Sequence, residues 1–196
     1  MTQPASSSAG ATQKNPNPQG KGLVPFLQDW EKIQTDLAGP DSASDFLRDY
    51  AISSLVLAAE FRFKPVPGKP YYLYSTASGW KLSLIAPGEL GQLDMGSFLA
   101  RCQLGTDMTW DLVVEDIDRD SPAARRAQRF ILGFLRALNE QPSIAEGLPT
   151  YVAQLPYYRR LLATGLSSQL SSSAVRLGGE VKQLVASEQA TLRLME

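Results

Sequence analysis

The chain has 196 residues, 43% hydrophobic and 20% charged, which suits one domain with a core of ordinary size plus appendages. A net charge of −1 argues against broad electrostatic binding to nucleic acid or an anionic membrane, which needs a basic excess. There is no histidine and one cysteine, Cys102, which removes Ser-His and Cys-His catalysis, the commonest zinc nitrogen ligand and any intrachain disulfide.

Residues 1–22 are rich in Ser, Gln, Asn, Pro and Gly. They carry neither the basic nor the apolar region of a signal peptide, and a disordered tail is expected there. A first helix is predicted from Pro25, where a missing amide hydrogen costs nothing. Phe26, Leu27, Trp30, Ile33 and Leu37 fall on one of its faces, and Gly39-Pro40 ends it. Asp41 or Ser44 is placed to cap a second helix with Phe46, Tyr50, Leu57 and Phe61 as its buried stripe. The longest apolar run, Ala51 to Ala59, falls short of a membrane span, and the expected location is the cytoplasm.

At Phe61 the apolar period changes from helical to alternating, with Phe61 and Phe63 against Arg62 and Lys64, until Pro65-Val66-Pro67-Gly68 turns the chain. Strands are predicted over Tyr71–Ser75 and Trp80–Ala86, joined by Ala77-Ser78-Gly79. In the second strand Trp80, Leu82, Leu84 and Ala86 share one face and Lys81, Ser83 and Ile85 the other. After Pro87-Gly88 and a longer connection come Phe98–Leu104, a turn at Gly105-Thr106-Asp107, and Met108–Val114. Ser121-Pro122 starts a helix running to about Leu138, with Ala127, Phe130, Ile131, Phe134, Leu135 and Leu138 clustered on one side. Short helical pieces follow near Ser143–Glu146 and Pro156–Ala163. Beyond Leu166 the apolar spacing fits a helix, with Gly178-Gly179 as an alternative hairpin turn.

Lys69-Pro70-Tyr71-Tyr72-Leu73-Tyr74, Gly79, Leu82-Ser83-Leu84-Ile85-Ala86-Pro87 and Asp107-Met108-Thr109-Trp110 together resemble the pattern of an uncharacterised family, a domain of unknown function found in proteobacteria and more distantly in animals. Asn15–Gly22 and Glu60-Phe61-Arg62-Phe63-Lys64-Pro65 are similar to its bacterial branch, whereas Leu90-Gly91 departs from a tryptophan-glycine usual in the family. The resemblance covers about residues 14 to 115, supports the fold reading, and implies no catalytic residue.

Tyr72, Tyr74 and Lys81 share one side of the first hairpin if Trp80 and Leu82 point inward, and such aromatics stack bases or anchor peptides. The plainer reading is that a helix covers them. Arg125, Arg126, Arg129 and Arg136 outline a phosphate- or partner-binding stripe, interrupted by Leu132; the plainer reading is a solvated helix face partly paired with the preceding acids. Asp116, Asp118 and Asp120 imitate the start of a calcium loop, but Ser121 stands where glycine is needed and Ala127 where a bidentate glutamate is needed, so no metal is expected. Cys102 reads as a small buried strand residue. Asn15–Gly22 reads as a docking segment or as chain shaping the approach to the first helix. Gly20-Lys21-Gly22 lacks the spacing of a phosphate loop.

The sequence therefore predicts an α+β fold, a four-stranded antiparallel meander sheet with flanking amphipathic helices and a helical C-terminal extension. Its expected divisions are a tail (1–22), a core domain (23–140) and the extension (141–196). The expected role is a non-enzymatic protein-interaction module with a protein partner or a homo-oligomer, no cofactor and no membrane. Its candidate binding residues are Tyr72, Tyr74, Lys81, Arg125, Arg129 and Arg136. A small-molecule-binding protein or enzyme without histidine chemistry, and a single-stranded RNA-binding module, are the alternatives, the second disfavoured by charge.

Overall fold

The structure, a computed structural model, describes residues 39–89, 91, 94–113, 120–148 and 155–187. The tail, Asn15–Gly22, the helix expected from Pro25, Leu90, and Glu115, Asp116 and Asp118 of the acidic run lie outside these residues. The first described helix, α1 (Ala43–Leu57), is capped by Ser42 rather than by Asp41 or Ser44. Extended backbone at Ser42 (ψ 155°) lets its Oγ accept the Asp45 amide at 3.1 Å. Phe46, Leu47, Tyr50, Ala51, Ser53, Leu55 and Val56 are all buried, more than a single stripe, because α1 packs between the sheet and the last helix. Phe61, expected to extend that stripe, is buried from the extended chain beyond the helix.

The four strands are β1 (Pro70–Thr76), β2 (Gly79–Ser83), β3 (Ser97–Leu104) and β4 (Trp110–Val113). All neighbours are antiparallel, in the order β2-β1-β3-β4. A simple meander would put β3 beside β2. Instead β3 pairs with the far side of β1, leaving β2 as an edge strand.

The cause is the way β2 ends. Its expected last residues, Leu84 to Ala86, are not strand: the Ser83 hydroxyl accepts the Ile85 amide at 3.0 Å, an i to i+2 bond that bends the chain. Leu84, predicted to point inward, is 57% exposed. The connection then passes through a 3₁₀ turn at Pro87–Glu89 and reaches Gly96. Gly96 has φ +83°, and a Cβ there would lie 2.2 Å from the Ser75 carbonyl oxygen, so only glycine lets the connection close against β1.

The turn into β4 is also built by side chains. Asp107 accepts the Thr109 amide at 3.1 Å and the Thr109 hydroxyl at 2.8 Å, and Met108 adopts φ +70°. Strand pairing therefore begins at Trp110 rather than at Met108. Trp110 is buried and donates its backbone amide to the Ser53 Oγ of α1 at 3.0 Å. The Asp107-Met108-Thr109-Trp110 motif is thus a turn with its anchor in the core.

Helix α2 (Pro122–Glu140) starts as predicted, with Ser121 as cap and Pro122 in the first turn. Ala123, Ile131, Leu135 and Leu138 are buried, while Ala127, Phe130 and Phe134 are half-buried. A single turn, α3 (Ile144–Gly147), is capped by Ser143. Helix α4 (Tyr157–Ala186) is one continuous element of 30 residues, with Gly178 and Gly179 inside it rather than in a hairpin. Leu177 and Val181 on either side of the pair are buried, and that packing outweighs the poor helix propensity of glycine. Arg159 donates to the Leu57 carbonyl at 2.9 Å and Arg176 to the Pro40 carbonyl at 2.8 Å, so α4 is tied to both ends of α1. No helix among the described residues is long and apolar enough to cross a membrane.

Candidate functional site

Beyond α1 the chain meets the free side of β2 and then leaves it. Glu60 is a one-residue parallel partner of Lys81: its amide donates to the Trp80 carbonyl at 2.8 Å and its carbonyl accepts the Leu82 amide at 3.1 Å. Phe61 then turns into the core, and Phe63 stacks on Tyr71 with centroids 5.4 Å apart and planes 6° from parallel. The Tyr71 hydroxyl in turn accepts the Val66 amide at 2.6 Å. These anchors pull residues 61–66 off the edge. A continued ladder would use the Leu82 carbonyl, which lies on the same side as the amide given to Glu60, and then the Leu84 amide; no loop or side-chain bond reaches either group among the described residues.

The divergence opens a cleft of about 470 Å³. Phe61 and Phe63 form one wall, Leu82, Leu84 and Ile85 the other, and Met95 adds a further apolar surface. Glu60, Arg62, Lys81 and Ser83 are its polar members. Arg62 lies 3.7 Å from Glu60, with side chains 92% and 70% exposed, a pair worth little in water. Lys81 is exposed and makes no ion pair among the described residues. The cleft is open to solvent, and its lining is mostly apolar with two cations against one carboxylate.

Of the residues chosen from sequence, Lys81 belongs to this cleft. Tyr72, directly opposite Ser83 and Arg101, is half-buried, and its ring lies 6.4 Å from that of Phe98, which is 38% exposed. Tyr74 is fully buried; its hydroxyl donates to the Ile85 carbonyl at 2.9 Å and its ring packs 5.6 Å from Phe98. Burial pushes its phenol pKa up, with the charges of Tyr72 and Glu89 adding to the rise. Among the described residues the partners of Tyr74 are Ile85, in the connection between β2 and β3, and Phe98 of β3.

Arg125, Arg129 and Arg136 are exposed on α2. Trp80, whose side of β2 is opposite to that of Lys81, faces this helix through Arg126, so the three arginines are not brought together with Tyr72 and Lys81. Arg126 itself is half-buried. Its guanidinium lies 5.7 Å from the Trp80 ring centroid and donates to the Thr76 carbonyl and the Ser75 hydroxyl, clamping the end of the β1–β2 hairpin.

Two titratable groups elsewhere are strongly displaced. Burial raises the Asp49 carboxyl of α1 to about 6, against the attraction of Arg48 and with repulsion from Asp111, Asp107 and Asp45. Burial likewise pushes the Cys102 thiol up to about 12. Neither lines the cleft. Among the described residues no cluster of three or more His, Cys, Asp or Glu side chains could hold a metal ion.

Sequence reasoning missed Glu60, Phe63, Leu84 and Met95 as site residues. The alternation from Phe61 to Lys64 was the available signal, since it marks chain that runs beside a sheet.

Residues 40–132 match the family model described as "Protein of unknown function (DUF2452)". Over that segment the chain is similar to this uncharacterised family. The matched segment holds α1, the whole sheet and every residue of the cleft, and it ends within α2. No curated protein and no solved structure matches the chain.

Proposed function

We propose that the protein is a non-enzymatic interaction module that receives a segment of another protein in the cleft beside β2. The observation that carries this reading is the unfinished edge: β2 has a parallel partner at Glu60, loses it at Phe61, and leaves backbone groups next to an apolar opening. Sheet edges left in this way take extended segments. The exposed Leu84 and Phe98 extend the apolar surface to the neighbouring sheet face.

An enzyme would be supported by a carboxyl of raised pKa within the cavity. Asp49, whose carboxyl is raised, lies on α1 outside the cleft lining. The Ser83 hydroxyl accepts the Ile85 amide. The cytoplasm is the location we assign to this activity, on the composition of the chain.

The test is to pan a random-peptide display library on the full-length protein. Peptides should be enriched whose binding is lost in Leu84→Asp and kept in Val175→Asp, a residue 78% exposed on α4 and outside the cleft. Both variants should keep the wild-type urea midpoint, since both side chains are exposed. Enrichment only of peptides indifferent to Leu84→Asp refutes the assignment.

A further inference from the structure

Building on the cleft as the binding site, we infer that its occupant is a short extended segment of a partner protein, acidic as well as apolar, laid parallel to β2. Direction follows from the backbone. In a parallel ladder one residue of the incoming strand donates to the Leu82 carbonyl and accepts from the Leu84 amide, which completes the two unpartnered groups together. An antiparallel segment would reach the Leu82 carbonyl only through a residue directly opposite Leu82, which also needs the Leu82 amide that Glu60 already holds. Glu60 already bonds to β2 in the parallel sense, so the occupant continues an existing geometry.

Chemistry follows from the lining. The walls offer Phe61, Phe63, Leu84 and Met95 to apolar side chains, and about 470 Å³ accommodates a few side chains rather than a folded surface. Arg62 and Lys81 bring two positive charges, and Glu60 is the one carboxylate among the lining residues. The Glu60–Arg62 pair is exposed and weak, so an incoming carboxylate competes for Arg62 at little cost and meets Lys81 without displacing any ion pair among the described residues. A basic segment would face like charge at the same place.

Two blocked ten-residue peptide libraries test this on the full-length protein. One alternates Val, Leu or Ile with Asp or Glu, and the other alternates the same apolar residues with Lys or Arg. The acidic library should bind at least about tenfold more tightly at low salt, and Lys81→Glu should remove or invert that preference. On saturation the Leu84 amide should exchange with deuterium at least about tenfold more slowly, as followed by NMR, with Leu84→Asp abolishing both effects.

Equal binding of the two libraries, or an acidic library that binds without protecting the Leu84 amide, overturns this inference and leaves the cleft as a binding site. Binding of neither library, together with no cleft-dependent peptide from panning, overturns both. Protection of Leu84 in the free, dilute protein would mean that the chain's own residues fill the edge. Protection that grows with protein concentration would mean a second copy does, and either result overturns the inference of a partner segment.

Discussion

Replacing Asp49 by asparagine should stabilise the protein at neutral pH and leave its stability in acid nearly unchanged. Burial raises this carboxyl from 3.8 to about 6, so the folded protein holds the proton more tightly than the unfolded chain does. The contribution to stability is therefore complete below about pH 4 and is lost as the pH rises through about 6. A rise of this size corresponds to about 3 kcal/mol against the ionised carboxylate in the fold if taken in full. The side chain is 18% exposed and touches Arg48 at 3.5 Å, so solvent screening reduces the expected effect to about 1–2 kcal/mol. Asparagine keeps the shape and removes the charge. Urea unfolding of wild type and Asp49→Asn at intervals from pH 4 to pH 7.5 should show curves that coincide at the acid end and separate in favour of the variant above about pH 6. A variant less stable than wild type at pH 7.5, or a difference that does not change with pH, would refute the assignment of a costly buried charge.

Gly96→Ala should destabilise the fold by about 2–3 kcal/mol, because it combines a left-handed backbone with a Cβ placed against the Ser75 carbonyl; limited proteolysis should then cut first between Leu84 and Gly96. Arg126→Met should cost about 1–3 kcal/mol in thermal or urea unfolding by leaving the Thr76 carbonyl without its donor, whereas Arg125→Ala, Arg129→Ala and Arg136→Ala should each stay within about 0.5 kcal/mol of wild type. The Cys102 thiol, pushed up to about 12 by burial, should react with an aromatic disulfide reagent only at the rate of unfolding, so that urea accelerates labelling and alkaline pH short of unfolding does not.

Several elements were legible in the residues alone because their causes are local. Ser121-Pro122 and Ser143 mark helix starts through bonds to amides a few positions on. The glycine turn at Gly79 and the alternation around it define the first hairpin, and the alternation of Cys102 with Arg101 and Gln103 correctly marks it as buried. The α+β class with four antiparallel strands and a C-terminal helix follows from such signals added along the chain. What pairs with what did not follow. Strand order depends on contacts between residues far apart in sequence: the close approach of Gly96 to Ser75 carries β3 past β2 to the other side of β1. The end of β2 rests on the Ser83 hydroxyl and on the Tyr74 hydroxyl reaching the Ile85 carbonyl. Periodicity cannot register either bond, so Leu84 read as core. The cleft is further still from any local signal. It exists because the Phe63 ring finds Tyr71 and draws the chain away from β2 just after Glu60 has paired with it. Residue types and spacing determined the elements and their caps, while only packing across the chain decided which edge stayed open and which side chains surround it.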